Sequence, residues 1–467
     1  LILPLPELVK VSTQSPVLEL RKKIQNKEIK IAVVGFGYIG TCIGAVLAEN
    51  GFRVHGVDVR KNIIEEINQG TTSINEPGLS ELIKKNVKNK LLSATSDFAV
   101  ISDCDAVVVT VGTPLGQNFD PDTRDIVAAS EAIAKYLKPD HLVILKSTVP
   151  PRTTDSVVKP ILDRALKSGR YHLAFCPERL AEGRAIAEFR SLPVVVGGVD
   201  TLASEMSVEF WKGVLGVETI TVDSTVASEL VKLSDNLWID LNVALANEVA
   251  LLSDKLGIDA LQVIEASNSL PKGTKWVNIL SPSVGVGGYC LTKDPWFVHH
   301  LGKTFGLDLL TPVASRTTND RMPEYSYQLI KAGIEKTGKK IKDSHVAILG
   351  VAFKNNTGDC RFTPTKSIIE KFEQSGCFLE ICDPWVNEHE AQSVTQKKLN
   401  PDLMSTLRGA DAVVFLTGHD DFKKLSISTL KELIKPNAFI FDGRNFFSAE
   451  KMEQARLAGF RYKGVGR

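Results

Sequence analysis

From Lys30 onward the chain alternates short apolar runs rich in β-branched residues with stretches whose apolar positions recur every three or four residues. The runs KIAVVG, RVHGVDV, AVVVTVG near 106–112 and HLVILKST at 141–148 read as strands, and the segments between them as helices. Near-continuous apolar strands separated by helices specify a parallel sheet covered on both faces. Further strands at Leu173–Cys176 and Pro193–Gly197 carry this region to about residue 222.

The pattern then changes. Ser224 to Lys255 keeps helical spacing without a glycine until Gly257, which predicts one long helix with a stop signal. Apolar residues around much of its circumference predict deep burial. Helical segments continue to about Asn319, and alternation resumes with HVAILGVAF (345–353), CFLEICDP (377–384), AVVFLT (412–417) and FIFDGR (439–444). The two ends form a degenerate repeat, since KIAVVGFGYIG leads to GFRVHGVDV as HVAILGVAFK leads to GCFLEICDP. The expected fold is therefore α/β, with two Rossmann-like parallel-sheet domains joined by a central helical region containing one long helix. The boundaries are an extension over 1–28, a first domain over 29–222, a helical region over 223–325 and a second domain over 326–467.

Composition narrows the function. A chain of 467 residues has room for two or three cores. A formal net charge of +1 gives no reason to expect nucleic acid or a membrane surface as partner. No apolar run approaches the roughly 18–20 residues of a membrane span. The seven cysteines (42, 104, 176, 290, 360, 377 and 382) are scattered without a C-x-x-C pair, so neither a disulfide framework nor a zinc site is expected. Reduced thiols, a cytoplasmic location and no metal are the resulting expectations. Residues 1–28 show no helix or strand period and lack the features of a signal peptide.

Three groups of residues carry candidate chemistry. Gly35-x-Gly37-x-x-Gly40 follows a strand and opens a helix, and Asp58 ends the next strand. In that context the glycines admit a pyrophosphate to the helix N-terminus, and the carboxylate accepts the ribose hydroxyls. A carboxylate there disfavours a 2′-phosphate and selects NAD over NADP, while FAD shares the same fingerprint. The second group lies around the run Gly285-Val286-Gly287-Gly288-Tyr289-Cys290, followed by Lys293-Asp294-Pro295. Asp294 is expected to cap a helix with Pro295 in its first turn, so that the helix N-terminus and Lys293 together favour a Cys290 thiolate. On the long helix, Glu229, Lys232 and Asn236 share a face, either as a solvated stripe with a Glu–Lys pair or as a lysine-and-amide pair that stabilises charge on oxygen. Glu178 and Glu182, in CPERLAEG at a strand end, are surface charges or crevice groups. In the third group, Lys354, Asp359 and Arg361 follow the first strand of the second domain, as surface ion pairs or as side chains holding a diphosphate. Asp442-Gly443-Arg444-Asn445 closes a later strand as a turn supporting that site.

Taken together, these residues make the chain resemble the UDP-sugar 6-dehydrogenase family from about Lys30 to the C-terminus. The resemblance rests on GFGYIG with Asp58, Asn75-Glu76-Pro77-Gly78-Leu79, Thr113-Pro114, Lys146-Ser147-Thr148-Val149-Pro150, CPERLAEG, the Glu229/Lys232/Asn236 helix, GVGGYC with Lys293-Asp294, Asp359-x-Arg361 and DGRN. It implies an NAD-binding first domain, a UDP-sugar-binding last domain and a four-electron oxidation of a C6 alcohol to a carboxylate. By the same resemblance Cys290 is the nucleophile that captures the aldehyde, and Lys232 and Asn236 stabilise the C6 oxygen. Asp294 supports the lysine and a water, while Thr148 and Glu178 position that water or move its protons. The implied cofactor-binding residues are Gly35, Gly37, Tyr38, Ile39, Gly40, Asp58, Thr113, Thr148 and Glu182. The implied substrate-binding residues are Arg179, Leu180, Lys232, Asn236, Gly287, Gly288, Lys354 and Arg361.

The sugar is read from the loops. Arg179, Leu192-Pro193, Val277-Asn278-Ile279-Leu280 and DPWF resemble the branch acting on UDP-N-acetylhexosamines (N-acetylmannosamine, N-acetylglucosamine or N-acetylgalactosamine), whereas Lys293 is a feature of the UDP-glucose branch. Ser283, Val284 and Tyr289 depart from both. UDP-glucose is thus the alternative substrate, and a single-step 3-hydroxyacid-type dehydrogenase or a non-catalytic nucleotide-sugar-binding module are the competing functions. The resemblance also implies a homodimer, or a dimer of dimers, built on the central helix.

Overall fold

The computed structural model describes residues 16–116, 120–166 and 170–467. These fall into two compact units, the described parts of Leu1–Pro114 with Pro121–Lys232 and of Leu115–Asp120 with Leu233–Arg467. The division lies inside the long helix, and the helical segments after it cluster with the second sheet.

The first unit contains β1 (Lys30–Val34), β2 (Arg53–Val57), β3 (Leu92–Thr95), β4 (Ala106–Val109), β5 (Leu142–Leu145), β6 (His172–Phe175), β7 (Val194–Gly198) and β8 (Thr219–Thr221), in the spatial order β3-β2-β1-β4-β5-β6-β7-β8. The first six run parallel, with Ile31 opposite both Val54 and Ala106, which is the doubly wound dinucleotide order. Its order reverses between β1 and β4, so the ligand crevice lies outside their carboxyl ends. The edge differs from the parallel expectation. β7 pairs antiparallel with β6, and β8 parallel with β7. The helix between β6 and β7, Ala185–Phe189, has only five residues, too short to run back along the length of the sheet as the helix of a parallel crossover does. β3 and β8, short and half-polar, carry too weak a pattern to be read from the sequence.

Part of the extension is also ordered. Pro16–Gln25 is a helix despite its weak period, because two apolar residues one turn apart, Leu20 and Ile24, are buried and Arg21 makes a bidentate ion pair with Glu209 on helix Thr201–Leu215.

The second unit holds the hairpin β9 (Pro271–Lys272) and β10 (Lys275–Trp276), helices Ala260–Asn268, Asp294–Thr304 and Leu310–Glu335, and a five-stranded sheet. That sheet comprises β11 (His345–Leu349), β12 (Phe378–Cys382), β13 (Ala412–Phe415), β14 (Phe439–Asp442) and β15 (Arg461–Gly464), all parallel, in the order β12-β11-β13-β14-β15. This is the other common doubly wound order, with its own switch point between β11 and β13. Phe372 and Phe441 fill one face, and Phe422 and Phe447 the other.

The long helix spans Thr225–Leu256 and stops at Gly257, whose φ of 70° is the left-handed conformation of a helix end. Its faces reverse the expected polarity. Glu229, Lys232, Asn236, Asp240 and Asn247 form a buried polar stripe, whereas Trp238, Leu241, Leu245, Leu252 and Leu256 form an exposed apolar one. The helix is therefore not deeply buried all round within one chain, because its inward face is given over to polar groups that hold loops. Among the described residues no helix is long and apolar enough to cross a membrane.

Candidate active site

At the end of β1, Gly35 has φ 89° and donates its N–H to the Val57 carbonyl at 2.8 Å. Helix Tyr38–Glu49 starts at once, with Gly37 in the cap position and no side-chain cap. The first-turn N–H groups, including those of Tyr38 and Ile39, are thus left to an anionic ligand. A Cβ at Gly37 would meet only Arg60 Nη2, at 3.4 Å, whereas one at Gly40 would stand 2.1 Å from the Gly35 carbonyl oxygen. Gly37 leaves room for a phosphate, and Gly40 lets helix and strand approach. Asp58 ends β2 nearly buried, accepting the Phe36 N–H at 2.7 Å and the Arg60 N–H at 2.9 Å, with the Arg60 guanidinium on both oxygens. Burial pushes its carboxyl up, but the bonds to Arg60 overcome this and hold it below the ordinary range, so Asp58 stays an ionised acceptor. These groups fit the pyrophosphate and adenosine ribose of NAD.

Two ties shape the rest of this crevice. Glu76 is buried, accepts from the Tyr38 hydroxyl, and takes the Gly183 N–H at 2.8 Å, which anchors the loop carrying half-buried Glu182. The Thr113 hydroxyl donates to the Thr148 carbonyl at 2.5 Å, joining the ends of β4 and β5. Glu178 is buried beside Lys146, with Oε2 and Nζ 3.3 Å apart, and its Oε1 accepts the Leu180 N–H. It is a crevice group rather than a surface charge. Arg179 turns to the Pro193 carbonyl at 2.7 Å, tying CPERLAEG to the Leu192-Pro193 segment.

Glu229 does not pair with Lys232. Its carboxylate accepts the N–H groups of Arg152 (2.6 Å) and Thr154 (2.8 Å) and the Thr154 hydroxyl (2.7 Å), holding the loop after Thr148, in which Arg152 adopts φ 80°. Burial pushes its carboxyl up to about 7. Lys232 and Asn236 are both buried one turn apart, which removes the reading of a solvated stripe.

In the second unit Cys290 is exposed. Its carbonyl accepts the N–H groups of Lys293 (3.0 Å) and Asp294 (2.8 Å), so the chain turns directly from the cysteine into helix Asp294–Thr304. Asp294 is the first residue of that helix and not its N-cap, because its carboxylate is taken up elsewhere. It is fully buried, with Oδ2 2.5 Å from Asn236 Nδ2 and Oδ1 2.6 Å from Lys293 Nζ. Lys293, over the Phe297 ring at 3.9 Å, is thereby neutralised by Asp294 and adds no lone positive charge beside the thiol. The glycines before Cys290 serve close approach. A Cβ on Gly287 would lie 2.6 Å from Phe353 Cβ, and one on Gly288 2.7 Å from the Phe353 ring. The Gly288 N–H is used by the Arg361 carbonyl at 3.0 Å.

Phe353 opens the loop after β11. There Arg361 makes a bidentate pair with Asp359 and lies 5.9 Å from the centre of the Tyr289 ring, and Lys354 is half-buried. The turn at 442–445 supports this loop, as the half-buried Arg444 donates to the Phe353 carbonyl at 2.7 Å and the Leu416 carbonyl at 2.8 Å.

Four residues of this unit were not singled out from the sequence. Asp240 accepts from Arg316 (2.7 Å) and Asn319 (2.8 Å), and Asn319 accepts from Asn247 (2.9 Å), all buried. The available signal, for Asp240 and Asn247, was their position on the Lys232/Asn236 face of the long helix, where they continue the polar stripe; Arg316 and Asn319 lie on helix Leu310–Glu335 and carried none.

Residues 29–215 match the NAD binding domain of the UDP-glucose/GDP-mannose dehydrogenase family, 226–321 its central domain and 347–449 its UDP binding domain. A UDP-N-acetyl-D-mannosamine dehydrogenase from Methanococcus maripaludis is 32% identical over 443 residues, covering 94% of this chain and 97% of that protein. The solved structure of a UDP-D-ManNAc dehydrogenase from Pyrococcus horikoshii superposes with a TM-score of 0.83 at 30% identity, covering 94% of this chain and 99% of the other. That of a UDP-glucose dehydrogenase from Pyrobaculum islandicum also gives 0.83, at 26% identity, covering 98% and 100%. The chain belongs to the UDP-glucose/GDP-mannose dehydrogenase family and is an NAD-dependent nucleotide-sugar dehydrogenase.

Proposed function

We propose that the protein oxidises the C6 hydroxyl of a UDP-N-acetylhexosamine, with the manno sugar first among candidates, to the uronic acid. The carrying observation is the buried cluster of Asn236, Asp294 and Lys293, joined through the helix start to the exposed thiol of Cys290. When bound, NAD supplies the hydride acceptor for both oxidations. Lys232 and Asn236 hold the C6 oxygen and stabilise negative charge on it. Cys290 Sγ adds to the aldehyde carbon, and this covalent capture keeps the aldehyde from leaving. After the second oxidation the carbon is a thioester. Water then adds to its carbonyl, the C–S bond breaks with Cys290 leaving as its thiolate, and the carboxylate departs. Asp294 fixes Asn236, and Thr148 and Glu178 position the water and accept its proton. Gly35, Gly37, Tyr38, Ile39, Gly40, Asp58, Thr113 and Glu182 serve NAD. Arg179, Leu180, Gly287, Gly288, Lys354 and Arg361 serve the nucleotide sugar, Gly287 and Gly288 by packing against the Phe353 loop.

The names of the relatives from Methanococcus and Pyrococcus support the N-acetylhexosamine. UDP-glucose is the second reading, favoured by Lys293, and the equal likeness to the Pyrobaculum structure does not discriminate. A panel of UDP-glucose and the gluco, manno and galacto UDP-N-acetylhexosamines, followed by NADH absorbance, tests the reading. Two NADH per UDP-N-acetylmannosamine are expected, and turnover of UDP-glucose alone would overturn it. The working form is a homodimer through the exposed stripe of Trp238, Leu241, Leu245, Leu252 and Leu256, an apolar row too continuous to be left in water. Leu245→Glu converts it to monomers in light scattering.

A further inference from the structure

The cysteine loop is fastened at both ends to a single buried chain of polar side chains. At its start, the Ser283 N–H donates to Asn247 Oδ1 at 2.8 Å. At its end, Arg316 Nη1 donates to the Leu291 carbonyl, next to Cys290, at 3.3 Å. Between these anchors Asn247 Nδ2 donates to Asn319 Oδ1 at 2.9 Å, Asn319 Nδ2 donates to Asp240 Oδ1 at 2.8 Å, and Arg316 Nη1 donates to the same Asp240 oxygen at 2.7 Å. Asp240, Asn247, Arg316 and Asn319 are each at most 2% exposed. The helix Leu310–Glu335 that carries Arg316 and Asn319 contains Pro323, which cannot donate to the Asn319 carbonyl four residues back, and Gly285 passes beside that carbonyl.

We infer that Asn247, Asn319, Asp240 and Arg316 act as one positioning device that holds Cys290 in register with Asn236 and Asp294. Asp240 and Asn247 lie on the same helix and the same face as Asn236, one and three turns further on, so the thiol and the group proposed to hold the C6 oxygen are referred to one rigid element. A buried chain of linked polar side chains fixes geometry in a way apolar packing does not. The inference rests on the proposed four-electron reaction, and its consequence is specific to the step between the two oxidations. The first oxidation needs no thiol. Capture of the aldehyde requires Sγ within bonding approach of C6, and a displacement of about 1 Å lowers such a step on the order of 100-fold. A loosened loop therefore lets the aldehyde leave.

The test uses the full chain with excess NAD and UDP-N-acetylmannosamine. It compares the unaltered protein with Asn247→Leu, which removes the anchor at the start of the loop, and Arg316→Lys, which keeps a cation for Asp240 but loses the fork that reaches Leu291. NADH per sugar, aldehyde trapped by hydroxylamine and the rate of Cys290 alkylation by iodoacetamide are read together. The expected result is two NADH and no trapped aldehyde in the unaltered protein. In the variants the ratio falls toward one, aldehyde is trapped, and the KM for NAD is unchanged. A merely structural role would lower the melting temperature or slow both oxidations alike while the ratio stayed at two, and that result would overturn the inference. If one variant does not fold, the other decides on the same readout. A ratio of one in the unaltered protein would overturn the four-electron reaction and the inference with it.

Discussion

The two doubly wound sheets of this chain are built on the same turns and put them to different uses. Asp105, before β4, accepts the N–H of Lys30 at the start of β1, as Asp411, before β13, accepts that of His345 at the start of β11. Gly35 and Gly350, with φ of 89° and 101°, each donate to the last carbonyl of the neighbouring strand. Asp58 and Asp383 follow β2 and β12 and accept from the turn after the first strand. The difference lies in what comes next. In the first domain a helix opens immediately and offers its N-terminus to an anion. In the second, helix Pro364–Gln374 is delayed behind a loop bearing Lys354 and Arg361. The first turn presents backbone N–H groups at a helix start, and the second presents lysine and arginine side chains. Asp58 has a half-exposed arginine partner, whereas Asp383 is saturated by Val351, Ala352, Trp385, Val386 and His419. The second carboxylate staples a turn, and the first is the one proposed to meet the cofactor.

Exchanging the two aspartates for alanine tests this division most severely. Asp383→Ala leaves five donors unmet, four of them buried, and should destabilise the protein by about 3–5 kcal/mol, read as a large drop in denaturant midpoint. Asp58→Ala should cost about 1–2 kcal/mol of stability and appear mainly as an NAD affinity weakened about tenfold in titration. Equal losses of stability in the two variants would break the comparison.

Titration separates the domains next. Glu229 has a carboxyl raised to about 7 from 4.5 by burial. Its contribution to stability is complete below the unfolded value of 4.5 and is lost as pH rises through about 7, on the order of 3 kcal/mol in all. For Asp383 burial acts upward, but His419 and the backbone donors hold it below 3.8, so its contribution is present above 3.8 and lost as pH falls through its folded value. Glu229→Gln should flatten the stability profile between pH 4.5 and 7 and leave the acid limb unchanged. Urea melts across that range measure both limbs.

The smallest expected effect concerns the two modes of holding phosphate. Lys354→Ala should raise the KM for the UDP-sugar about tenfold, the weight of one charge-assisted contact, with the KM for NAD unchanged. An equal rise in both would mean that Lys354 does not distinguish the two nucleotide sites.

Much of this was legible in the sequence because it depends on local chemistry. The glycine fingerprint, Asp58, the β-branched strands and the long helix ending at Gly257 need only neighbours in the chain. Cys290 stood out between glycines and a helix start. What was misread depends on partners far away in sequence. Asp294 looked like a cap until Asn236, 58 residues earlier, was seen to take its carboxylate. Lys293 is the exception, since the carboxylate that neutralises it belongs to the adjacent Asp294. Arg316 and Asn319 were not singled out in the sequence, yet they tie down the cysteine loop through Leu291 and Asn247.

By itself the sequence determined the two Rossmann-like sheets and the glycine turn of the first domain, since period, turn residues and glycine spacing are set by steric rules acting over a few residues. The tertiary structure decided which way the long helix faces and what each buried charge is for. A carboxylate, lysine or arginine out of water must find its partner wherever the fold provides one, and no local pattern records where that partner will be.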